Sequence, residues 1–219
     1  MRLLVFVIIL LTGCATLNPA RPLNPGEHAV GATLGGPAFA FGGAPLPMPN
    51  IVIEGRSGIT TISDRPLDVN YGLNLTGTVF GIAGVHGGAA WMLSEQRQGV
   101  PAFTISDRQY LYTNVLDPRK EDRGGLAVNQ LELTASWQVQ RTLLYAGVAE
   151  YLVFSEPSLL LTPFIGAQRA IGASWMLQLE GRHYAINRTE NFDSIQWITY
   201  GPGALGLNIG FARTFGGTP

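Results

Sequence analysis

Five residues have the chemistry to move a proton or hold a charge inside stretches that otherwise alternate apolar and polar positions: Glu132, Glu150, Glu180, Arg182 and His86. Carboxylates gathered in a confined space raise one another's pKa values and can serve as general acid and base. Ion-pair networks leave the same trace, and Glu180 and Arg182, two apart on a strand, share a face and can pair with neighbouring strands. Buried charges need such partners to be tolerated. A polar network is therefore the expectation for these five, ahead of a catalytic set. His28, His86 and His183 show neither HExxH spacing nor neighbouring cysteines, so neither a metal nor a cofactor is expected. Gly201-Pro-Gly-Ala-Leu-Gly206 fits G-x-G-x-x-G, but an alternating strand follows it and no βαβ unit surrounds it. No G-x-S-x-G nucleophile motif is present.

The elements that must position these residues are strands. In Leu67–Val79 the residues Leu67, Val69, Tyr71, Leu73, Leu75 and Val79 fall on one face of an extended chain. Asp68, Asn70, Asn74, Thr76 and Thr78 fall on the other. Leu126–Gln140 sets Leu131, Leu133 and Trp137 against Gln130, Glu132 and Thr134. Ala173–Ala185 sets Trp175, Leu177 and Leu179 against Gln178, Glu180 and Arg182. In Gly203–Phe215, Leu205, Leu207, Ile209 and Phe211 oppose Ala204, Asn208 and Gly210. Thr142–Phe154 places Leu143, Tyr145, Ala149, Tyr151 and Val153 opposite Glu150, which makes Tyr145 outward and Glu150 inward. With Glu27–Gly36, Asn50–Ile62, Gly81–Leu93, Val100–Thr113 and Leu160–Ile171, about ten strands are expected. Pro37–Pro49 and Asn114–Gly125 are expected as long loops.

Charged residues make up 13% of the 219 residues and 28 are glycine, against about 25% charged and about 7% glycine in soluble domains. No stretch after residue 13 is apolar for the ~20 residues of a spanning helix, so membrane residence requires strands. A net charge of -1 gives no basic field for nucleic acid.

Met1–Gly13 carries Arg2, the apolar run Leu3–Leu11 and small residues, the layout of a secretory signal. Leu11-Thr12-Gly13-Cys14 resembles the lipobox of bacterial lipoproteins. The resemblance implies cleavage before Cys14, acylation of Cys14 and, with Ala15 following, delivery to the outer membrane. Cys14 is the only cysteine, so no disulfide framework is expected. Ala15–Gly26, with three prolines, reads as an extended tether.

Connections alternate between tight ones on the tether's end (Ser63–Pro66, Ser94–Gly99, Gln140–Thr142, Ile171–Ala173) and a second set containing the long loops, as outer-membrane barrels do. Phe80–Gly81 is the tight exception. Tracing strand direction puts Trp91, Trp137, Tyr145, Trp175 and Phe215 at the tether end, with Tyr151 and Trp197 toward the other rim. These are two belts of an aromatic girdle. Phe215 is similar to the terminal aromatic that outer-membrane proteins present to the barrel assembly machinery.

Taken whole, the chain resembles a bacterial outer-membrane β-barrel lipoprotein. The resemblance implies an all-β fold, a single antiparallel transmembrane barrel with an N-terminal lipidated tether. The expected domains are a signal peptide (1–13), the tether (14–26) and the barrel (27–219), lipid-anchored at Cys14 with the N-terminus on the periplasmic side. Membrane lipid and, during insertion, the assembly machinery are the expected partners. A structural or interaction role in the envelope leads. The alternatives are a small-solute pore, a lipid-modifying enzyme using Glu132, Glu150 or Glu180, and a soluble lipocalin-like barrel with its apolar faces turned inward.

Overall fold

A computed structural model describes residues 16–41, 44–47, 50–75, 82–114, 126–154, 158–188, 198–199 and 201–217. Eleven strands follow one another along the chain. They are β1 (Glu27–Phe41), β2 (Ala44–Pro47), β3 (Asn50–Ile62), β4 (Arg65–Asn74), β5 (Ile82–Ser94), β6 (Ala102–Asn114), β7 (Leu126–Val139), β8 (Thr142–Val153), β9 (Ser158–Ile171), β10 (Trp175–Tyr184) and β11 (Ala204–Gly216). Ten of them, β1 and β3–β11, pair antiparallel with their chain neighbours, and β11 returns to β1 to close the ring. Closure leaves the wall without a free edge, which is what a lipid-facing sheet requires. Strands of 10–15 residues are long enough to cross a bilayer when tilted.

The alternation seen in the sequence becomes an inside and an outside. Leu73, Leu133, Leu177 and Leu207 are 40–53% exposed on the outer surface, whereas Asn74 and Glu132 are 5% and 1% exposed inside. Two-residue connections do the tight turning. Ser63 and Asp64 both take positive φ (53° and 62°), as the type I′ turn between paired strands requires.

Three expectations change. Pro37–Pro49 is not a plain loop, because β1 runs on to Phe41 and pairs with β2 through Ala38↔Pro47, Phe39↔Leu46 and Ala40↔Pro45. Pro45 and Pro47, two apart, put both missing N–H groups on one edge, so the other edge still forms a ladder. Where the sequence reads as a strand over Leu67–Val79, β4 starts at Arg65 and stops short of Leu75, and 76–81, with Phe80–Gly81, lie outside the described residues.

The third change concerns β8. Tyr145, Tyr151 and Val153 are 1–6% exposed and point inward, while Glu150 is half-buried on the outer face. Antiparallel partners share a face. Glu132 pairs with Ala149 and Leu131 with Glu150, so Glu150 must stand outside beside Leu131. Tyr145 therefore leaves the girdle and Glu150 leaves the lumen. Around Tyr145 a sector of the interior is apolar, formed by Tyr110, Leu126, Val128, Leu143, Ala149, Tyr151, Val153 and Phe164.

Candidate functional site

Interior positions of β3–β7 and β10 carry the lumen's charges. Among the described residues, Glu54, Asp68, Glu132 and Glu180 are buried with Arg56, Arg108, Arg182 and His86. Four carboxylates thus face three guanidinium groups and one imidazole, so the interior is close to neutral. Buried charges of this kind are tolerated when each is paired and hydrogen-bonded.

Arg182 is the hub. Its Nε donates to Glu180 Oε1 at 2.5 Å, its Nη1 to the Tyr151 hydroxyl at 2.8 Å and its Nη2 to Glu132 Oε1 at 2.9 Å. The guanidinium carbon lies 4.9 Å from the centre of the Phe164 ring, which covers one face of the cation. Two strands separate β7 from β10, so the Arg182–Glu132 bond crosses the interior and is not a contact along the wall.

Glu132 also accepts from Gln130 Nε2 (2.5 Å) and Ser106 Oγ (3.3 Å), and Arg108 Nη1 lies 4.0 Å from its Oε2. Tyr110 donates to Gln130 Oε1 at 2.5 Å. Glu180 accepts from Asn208 Nδ2 at 3.4 Å. All the residues of this network, Tyr151 and Phe164 included, are at most 6% exposed. Their bonds tie side chains of β6, β7, β10 and β11 to one another across the barrel.

His86 belongs to a second cluster. Glu54, Gly72, His86 and Tyr110 form one row across β3, β4, β5 and β6. Gly72 leaves the gap in which the His86 ring sits, since a Cβ there would lie 2.4 Å from His86 Cε1. His86 Nε2 thereby comes within 3.7 Å of Glu54 Oε2, and its ring lies 5.3 Å from that of Tyr110. Arg56 and Asp68 make a further buried pair nearer the tight-turn end. No group of three or more metal-ligating side chains occurs among the described residues.

Of the five residues singled out from the sequence, Glu132, Glu180 and Arg182 meet, His86 stands apart with Glu54, and Glu150 is outside. Arg108, Glu54 and Arg56 were missed, and Asp68, placed on the polar face of its strand, was not singled out. Each lies on the polar parity of its own strand, so the same alternation that located Glu132 was the available signal.

The tether is the second surprise. From Thr16 it runs as neither helix nor strand, with a bend at Ala20–Arg21, and Thr16, Leu17, Asn18 and Ala20 are 0–1% exposed within the lumen. Side chains from β3, β4, β6, β9 and β10 bind its backbone or its side chains. Arg108 donates to Thr16 Oγ1 (2.5 Å) and to the Leu17 carbonyl (2.7 Å). Gln168 donates to the Asn18 carbonyl (2.7 Å) and Thr104 to that of Ala20 (3.0 Å). Gln178 accepts from the Asn18 N–H (3.2 Å), Arg56 donates to the Arg21 carbonyl (3.0 Å) and Asp68 accepts from the Leu23 N–H (2.9 Å). The Leu17 methyls fill the space over Gly31 and Gly210, where a Cβ would come within 2.5 Å of each. Sequence reasoning gave an extended segment but no reason to place it inside.

On the outer surface Trp91, Trp137, Trp175 and Phe215 all lie near the tight-turn end, within four residues of their strand termini. Trp175 stacks on Phe211 at 4.7 Å, with the Arg213 guanidinium 5.6 Å from its ring centre. Trp197 and Cys14 lie outside the described residues.

No protein-family model matches the chain, and no curated protein matches its sequence. Among solved structures, an outer membrane channel from Pseudomonas putida F1 aligns over 91% of this chain and 100% of its own, with a TM-score of 0.52 at 10% identity. The translocator domain of the autotransporter NalP from Neisseria meningitidis covers 98% and 96% respectively, at 9% identity and a TM-score of 0.44. With the first of these, the closed antiparallel wall described above has the fold of an outer-membrane β-barrel.

Proposed function

We propose that the protein is a closed outer-membrane barrel, anchored through Cys14, that serves the envelope structurally or through contacts made by its long-loop end. The tight-turn end then faces the periplasm. One observation carries this reading. Arg182, Glu132, Glu180, Gln130 and Arg108 are each at most 2% exposed and bond to one another across the barrel, so water has no free path at that level. A ten-stranded ring is narrow enough for its interior side chains, here with residues 16–24 among them, to meet across it. The Pseudomonas neighbour is a channel by title, but the filled interior argues against carrying that activity over. Buried carboxylates without access argue equally against a lipid-modifying enzyme.

Purified protein added to a planar lipid bilayer is expected to give no steady, solute-dependent conductance. Stepwise conductance that scales with salt and persists in independently folded preparations would overturn the reading in favour of a pore.

A further inference from the structure

The position of Thr16 constrains what an anchored N-terminus can do. Thr16 is held by Arg108, which lies six residues along β6 from Ala102 at the tight-turn end. Leu17 rests against Gly210, six residues from the end of β11 at Gly216. Six residues rise about 20 Å along a strand, or roughly 15 Å along the barrel axis at a tilt of about 40°. Thr16 is therefore near mid-depth.

It is two residues on from Cys14, and two such steps span at most about 7 Å. An acylated Cys14 in the leaflet at the tight-turn end would fall about 8 Å short even with the chain turned straight back. Sideways exit is barred, because every neighbouring pair of wall strands is hydrogen-bonded, β11 to β1 included.

Resting on the anchor reading above, we propose that plug and anchor are alternative states. Residues 16–24 are a peptide ligand of the lumen in the unacylated chain, and acylation of Cys14 holds them outside it. The lumen half they occupy is built as a peptide cradle, with Arg108, Gln168, Gln178, Thr104, Arg56 and Asp68 each bonded to a main-chain group of the segment. None of the wall's strand pairings uses residues 16–24, so the ring stays closed when they leave. The bonds of Arg182 to Glu132, Glu180 and Tyr151 do not involve the segment and still cross the lumen. Withdrawal opens a vestibule toward the tight-turn end and not a through-channel.

The test is thiol accessibility at two positions in the whole mature chain. Ala20→Cys reports on the segment, and Ser136→Cys on a fully buried wall residue whose hydroxyl is met by Arg21. Each is compared in protein extracted from outer membranes, where the acylated Cys14 sulfur is a thioether and leaves one thiol, and in refolded Cys14→Ala protein in the same detergent. Intact mass verifies acylation, and heat-shifted gel mobility verifies the folded barrel. Both cysteines should react with a water-soluble maleimide at least tenfold faster in the acylated protein. Equal protection in both forms, with the acyl mass present, would overturn the proposal and leave the anchor standing. An absent acyl mass would overturn both. Fast reaction of Ala20→Cys in the Cys14→Ala protein would also overturn it, since the segment would then not be lodged without the lipid.

Discussion

Arg182 donates from each of its three guanidinium nitrogens, to Glu180, Tyr151 and Glu132, and lays one face on Phe164. Removing it leaves Glu180 and Glu132, both buried, without their nearest cation. Breaking a buried pair in this way costs about 3–5 kcal/mol, more than either ion contributes when paired. Arg182→Ala should therefore lower the unfolding free energy obtained from urea titration in detergent or vesicles by that amount. Glu150→Gln, on the half-buried outer face, should stay within about 0.5 kcal/mol of the parent. The reverse ranking would put Glu150 in the lumen after all. Glu132 and Arg182 were legible in the sequence because they sit among unambiguous neighbours such as Leu131, Leu133, Leu177 and Leu179. Arg108 was not singled out. Its strand carries Asp107 on the outer parity, where that residue accepts from Asn129 Nδ2, and this charge blurred the pattern. Glu54 was hidden similarly, in a strand interrupted by Gly55 and Gly58.

Among the elements, β8 shows where alternation stops being informative. Both of its faces are apolar: Leu143, Tyr145, Ala149, Tyr151 and Val153 inward, and Leu144, Ala146 and Val148 outward. A lone Glu150 then decided the orientation, and decided it wrongly, because a charge near a strand end can sit at a membrane interface. The missing information was the neighbour's register, which only pairing with β7 supplies. Strand positions were far better marked, because Gly, Pro and Asp-rich turns bracket them. A substitution tests the orientation. Val148, at the middle of β8 and 41% exposed, faces lipid. Val148→Arg should cost about 2–4 kcal/mol in urea-dependent folding into lipid vesicles, the penalty for a cation near the bilayer midplane. An unchanged midpoint would mean that this face meets water.

At the scale of the whole molecule, the outer surface explains why the wall needs a membrane whether or not a lipid is attached. Among the described residues, Val30, Leu34, Ile53, Leu73, Leu133, Ile165, Leu179 and Ile209 are each 43–68% exposed on it, and many more large apolar side chains share that belt. Soluble monomers rarely expose contiguous apolar patches beyond a few hundred Å². A lipocalin-like barrel would bury these faces and expose Asn74 and Glu132, which are 5% and 1% exposed. Acylation would add roughly 0.8 kcal/mol per buried CH₂ to membrane attachment, but the belt already supplies a spanning surface that a peripheral lipoprotein lacks. Cys14→Ala protein, routed to the envelope by a conventional signal sequence, should therefore remain in the membrane pellet after an alkaline carbonate wash and need detergent for extraction. Release of folded protein into buffer would show that the lipid alone held it, and that the apolar belt does not face hydrocarbon.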